Sequence, residues 1–167
     1  MPLPPSQYNE TMNDVHGLIR ARLAVVRRQL DAVVDRFSDE EFHWTPREGM
    51  KTVGEQLLEI ADKDRESVIW IQTGVWPDDD PPSFDLETAT MADARRALRE
   101  IRETTLAYLD SLSEAELELP VQSPDRWLEA LGLTECPRSE VLRNIAAHEW
   151  YHTGQLVSYR LLLGDAW

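Results

Sequence analysis

The residues best suited to chemistry are the histidines of the run His148-Glu149-Trp150-Tyr151-His152, two of the four histidines in this 167-residue chain. Four residues apart on a helix, the two imidazoles lie on one face, one turn from each other, where they can share a metal ion. The apolar residues around them, Val141, Ile145, Leu156, Tyr159 and Leu163, recur at steps of three and four, and both histidines fall in that stripe. Ligand-type side chains on a core-facing stripe need a reason. Either they bind a metal or they are satisfied core histidines, each paired with a buried polar partner.

As a bare string, His-Glu-x-x-His matches the zinc proteases, in which the glutamate is the general base. Such enzymes need a third ligand downstream and more chain to build a cleft. Only 15 residues follow His152, with Asp165 as the one acid among them. Glu149 is therefore read as a supporting or surface carboxylate rather than a base. Trp150 and Tyr151 read as packing residues, and Gln155 and Asn144 as candidates to orient a histidine through its second nitrogen. His16 and His43 stand alone and read as surface or structural. Cys136, the single cysteine, precedes a helix and reads as incidental rather than nucleophilic.

Four long helices can position these residues. Met12, Val15, Ile19, Leu23, Val26, Leu30, Val33 and Phe37 repeat at bundle spacing and predict the first. Ser38-Asp39-Glu40-Glu41 reads as a capping box on a short turn stopped near Pro46. Thr52-Val53-Gly54-Glu55 is a second box, opening a helix that Gly74 closes. A stiff polar connection from Trp76 to Ser83 leads to a third helix carrying Met91, Ala94, Leu98, Ile101, Thr105, Tyr108 and Leu112. Ser113-Glu114-Ala115-Glu116 opens another short turn. The stretch from Pro120 to Pro137 reads as irregular, and the fourth helix as about Pro137 to Leu163. No strand is expected. The fold class is all-α, a four-helix bundle with short helical turns in its connections, and the chain reads as one domain over residues 1–167.

Bulk composition excludes several functions. Net charge is −14, from 31 acidic against 17 basic residues, with no cluster of Lys and Arg. Nucleic acid and anionic membranes, which need a basic surface, are not expected partners. No run approaches the length of a membrane span, and the start Met-Pro-Leu-Pro-Pro-Ser has no signal-peptide character. One cysteine cannot form an internal disulfide, which points to a reducing, cytoplasmic setting.

The run His-Glu-x-x-His-x-Gly-Gln-Leu, here His148 to Leu156, resembles the DinB/YfiT-like family of metal-binding four-helix bundles. Thr52-Val-Gly-Glu-Gln-Leu-Leu-Glu-Ile-Ala-Asp62 resembles that family's second helix, and Phe37-Ser-Asp-Glu-Glu-Phe-His-Trp-Thr-Pro46 its turn before that helix. The resemblance implies one metal ligand from the second helix and two from the fourth. The fourth-helix pair matches His148 and His152. The second-helix histidine of the family falls on Glu59, so this chain departs from the pattern.

A carboxylate can replace an imidazole, giving a harder site for zinc, nickel, manganese or iron. By periodicity alone, however, Glu59 lies away from the stripe of Val53, Leu57, Ile60, Asp64, Val68 and Ile71, on the solvent side with Glu55, Asp62 and Glu66. The resemblance turns it into the site, with Gln56 and Lys63 beside it. It also implies a metal-dependent enzyme acting on a small molecule, of thiol-transferase or hydrolase type, with a low-molecular-weight thiol as a candidate partner. The competing reading is a non-enzymatic, stress-related bundle with a degenerate site, acting as a homodimer that buries aromatics such as Trp70, Trp76 and Trp127.

Overall fold

The computed structural model describes residues 14–122, 128 and 132–166. Its long helices are α1 (Val15–Val34), α2 (Val53–Thr73), α3 (Met91–Ser111) and α5 (Arg138–Leu162), with a short α4 (Glu114–Leu117) before the last. Helix α1 packs along α5, α5 along α2, α2 along α3, and α3 returns to α1. That closes a four-helix bundle. Among the described residues no helix is long and apolar enough to cross a membrane. Met12, Trp127 and the N-terminal Pro-rich residues lie outside the described residues.

Local chemistry sets the helix ends. Asp14 accepts from the Gly17 N–H to open α1. Thr52 and Glu55 form the reciprocal box that opens α2 (Thr52 N to Glu55 Oε2 2.6 Å, Glu55 N to Thr52 Oγ1 3.2 Å). Gly74 takes φ 75°, the left-handed cap only glycine adopts freely, and its N–H bonds the Trp70 carbonyl. Thr90 and Asp93 form a further box on α3, and Ser113 and Glu116 one on α4. Gly54 matters for another reason. A β-carbon there would stand 2.6 Å from the Phe42 ring, so the turn after α1 closes onto the start of α2 only with glycine at that position.

The expectation of no strand is corrected. Pro120–Gln122 (β1) and Glu135–Pro137 (β2) pair antiparallel, with Val121 opposite Cys136. Three-residue strands bounded by prolines show no two-residue alternation, so sequence pattern cannot reveal them. The ribbon caps one end of the bundle, where its Gln122 carbonyl accepts from the fully buried Trp70 indole (3.0 Å). Cys136 is buried beneath it.

The apolar core falls into two clusters. One gathers Ile19, Leu23, Val26, Trp70, Leu109, Leu142, Ile145 and Ala146. The other gathers Leu30, Val33, Leu57, Ile60, Leu98, Leu156 and Tyr159. Along every long helix the boundary between them is crossed at a polar layer. One charged residue from each long helix forms it: Arg27, Asp64, Arg102 and Glu149.

Candidate metal centre

Helix α2 brings Glu59 and α5 brings His148 and His152 to one wall of the bundle. One donor atom from each lies within 4.8 Å of the others. The His152 and His148 Nε2 atoms are 3.2 Å apart, and Glu59 oxygens stand 3.6 Å from His152 Nε2 and 3.9 Å from His148 Nε2. Donors about 2.0–2.1 Å from a shared tetrahedral ion stand roughly 3.4 Å apart, so small adjustments bring all three onto one ion. Glu59 faces the histidines across the α2–α5 groove rather than open solvent alone. The reason periodicity missed this is that the α2 stripe and the α2–α5 groove are different faces of one helix.

The proton arrangement suits ligation. Tyr159 O–H donates to the Lys51 carbonyl (2.8 Å), so its oxygen accepts from Gln56 Nε2 (3.2 Å). That fixes the amide with Oε1 toward His152 Nδ1, which donates to it. Neutral His152 therefore carries its proton on Nδ1 and presents a bare Nε2 to His148 and Glu59. Gln56 is buried, as is His152 at 3% exposure. Gln155, the sequence candidate for this orienting task, also acts on His152 through its side chain, and it donates to the Tyr151 hydroxyl (3.0 Å). Asn144 lines the cleft beside His148.

Both imidazoles are held neutral. Burial, Lys63 and Lys51 lower the His148 pKa to about 4, and burial, His148 and Lys51 lower that of His152 to about 4. Neutral imidazole is the form that binds a metal. The Lys51 ammonium pairs with Glu59, a cation held beside the carboxylate that would share a metal ion.

Glu59 and His148 edge a cleft of about 680 Å³ between α2, α5 and the connection after α2, with His152 buried behind them. Trp76 and Leu86 of that connection form its outer wall. Asp62 pins the connection by accepting from the Ser83 N–H (2.8 Å) and hydroxyl (2.7 Å), and Arg65 by pairing with Asp80 (3.0 Å).

Glu149 needs correction. It is 1% exposed, not at the surface. Arg27 grips both its oxygens (2.9 and 3.1 Å) and Arg102 donates to it as well. Arg102 also bonds Asp64 (2.9 Å) and the Leu23 carbonyl (2.8 Å), while the Thr105 hydroxyl donates to Asp64 (2.6 Å). Burial would lower the Arg102 pKa, but Asp64 and Glu149 outweigh it and raise it. A carboxylate neutralised by two guanidinium groups inside the bundle cannot serve as a protease base. Sequence reasoning named Asp64 only as a stripe residue and passed over Arg27 and Arg102. The signal was present: Leu98, Arg102, Thr105 and Leu109 step by four and three, as do Ile145, Glu149, His152 and Leu156.

The aromatic assignments also shift. Trp150 and Tyr151 are each 63% exposed rather than packed, while Trp70 is fully buried with Trp76 against its ring edge (5.8 Å between centroids). His16 is structural, its Nε2 donating to the Leu109 carbonyl (2.8 Å), and His43 is exposed.

A four-helix bundle carrying two helical histidines and a carboxylate beside a groove defines a class of small helical-bundle proteins with a candidate metal site. The family model of the DinB superfamily matches residues 22–156, and the chain belongs to that superfamily. Its fold is similar to that of a DinB-like protein from Bacillus subtilis, YjoA, at TM-score 0.68 and 20% identity, over 90% of this chain and 94% of that one. No curated protein matches the sequence.

Proposed function

We propose that Glu59, His148 and His152 hold one divalent ion, and that the protein is a metal-dependent enzyme acting on a small molecule in the adjoining cleft. The observation that carries this reading is the bare Nε2 of His152, aimed at His148 and Glu59 by the Gln56–Tyr159–Lys51 chain. Three protein ligands leave a position open to the cleft, the mark of a catalytic rather than a purely structural site. When bound, the ion supplies Lewis acidity and stabilises a thiolate or other anionic ligand. The protein's own part is to keep both imidazoles neutral, fix the tautomer, and wall the site with Trp76 and Leu86. Thiol transfer or hydrolysis is the reaction type, and zinc, nickel, manganese or iron suits the donor set.

Metal analysis after purification without chelator tests this. About one ion per chain is expected, lost in His148→Ala and in His152→Ala. Retention in Glu59→Ala removes Glu59 from the ligand set. Absence of any ion, even after soaking with zinc or nickel, overturns the reading.

A second reading rests on a different observation. Trp150 on α5 and Val25 on α1 line an exposed apolar groove. A homodimer through that groove, with no metal chemistry, is the non-enzymatic alternative, and sedimentation of Trp150→Ser beside wild type tests it.

A further inference from the structure

The cleft beside the triad contains a cation whose partner is missing. Lys63 lines it, is half-buried, and lies over the Trp76 ring at 4.4 Å. Among the described residues its ammonium has no carboxylate within 4.0 Å and no hydrogen-bond acceptor. All but one of the other charges of the cleft are paired. Glu59 pairs with Lys51, Asp62 with Ser83 and Arg65, and Glu55 with the Thr52 N–H. Glu66 remains without an ion pair; burial and Asp62 raise its pKa, against the pull of Arg65 and Lys63. Burial lowers that of Lys63, against the pull of Glu66. A half-buried ammonium on a tryptophan face, at the wall of an open cleft and with Glu66 beyond ion-pair distance, has room for an anion in direct contact.

Resting on the metal reading above, we propose that Lys63 recognises the carboxylate of a small-molecule substrate whose apolar body lies on Trp76 and Leu86. A monoanion is the match, because a doubly charged phosphate would meet the surrounding Glu55, Asp62 and Glu66 at greater cost. Glu59 and Lys63 are one helical turn apart on α2, about 6 Å between β-carbons, so the carboxylate sits within a few bonds of the metal position. The substrate is thus a short carboxylic acid with an apolar or aromatic portion, reacting at an atom near its carboxylate.

The test uses the full-length protein, as purified and after chelation, titrated with 3-phenylpropionate and with its uncharged amide, and followed by NMR at the Trp76 indole. Wild type should prefer the carboxylate by about tenfold, with and without metal. Lys63→Met should bring the two ligands to parity, Lys63→Arg should keep the preference, and Lys51→Met should leave it intact. Lys63→Gln replaces Lys63→Met if the latter does not give a native spectrum. A preference that survives in folded Lys63→Met, that is absent from wild type, or that appears only with metal bound overturns the proposal. Failure of the protein to take up any metal would sink the ligand set instead, leaving the chelated titration to decide Lys63 alone.

Discussion

Two polar clusters cross the middle of this bundle, a few residues apart on α5, and they are built to opposite rules. Around Glu149 every charge is matched: Arg27 and Arg102 against Glu149 and Asp64, with the Leu23 and Leu98 carbonyls and the Thr105 hydroxyl completing the set. Around His152 the cluster is only partly enclosed, with His148 and Glu59 half-buried. Gln56 satisfies one ring nitrogen, and the other converges with His148 and Glu59 at the lip of a cleft. A closed network in the core fixes how four helices pack. An open one keeps donor atoms in reserve for something that arrives from outside. One helical step on α5, from Glu149 to His148, separates the two.

If that contrast is sound, the clusters respond differently to damage. The largest effect is expected at Glu149. Glu149→Ala leaves two buried guanidinium groups without their shared partner and should cost about 3–5 kcal/mol of stability by denaturant titration. His148→Ala should cost far less, because its site is half-open. Equal losses would erase the distinction.

A pH effect of intermediate size should belong to the open cluster alone. In the metal-free protein the histidine pKa values near 4 lie below their ordinary 6.5. As pH falls below 6.5 the unfolded chain takes up protons that the folded protein refuses until about pH 4. Stability should therefore decline across that window and then level. The double variant His148→Asn, His152→Asn should flatten this slope; an unchanged slope would place its origin elsewhere.

The smallest effect sharpens the comparison. Gln56→Leu leaves both histidines in place but frees the His152 ring, and metal affinity should weaken by about 10-fold or more, read by competition with a chelating dye. Unaltered affinity would mean that Gln56 does no orienting.

Much of this architecture was legible from residue spacing. The four amphipathic stripes, the boxes at Thr52 and Ser113 and the cap at Gly74 each follow from short-range rules, and the histidine pair announced itself by sitting in an apolar stripe. Glu59 was not decidable that way. Its placement depends on which groove of the bundle its face of α2 borders, and the packing of α2 on α5 brings it beside the histidines. The charged quartet was hidden for a related reason. Arg27, Asp64, Arg102 and Glu149 look individually like surface charges, and their partners are 38 to 122 residues away. The pairing of β1 with β2 escaped because three residues carry no period.

The most direct measurement is a cobalt(II) titration of the chelated protein, read by visible absorption. A shared ion on Glu59, His148 and His152 should give d–d bands that saturate at about one equivalent. Those bands should change when a small thiol is added to the open position. Bands no stronger than those of the His148→Ala, His152→Ala double variant would contradict a metal site at this wall of the bundle.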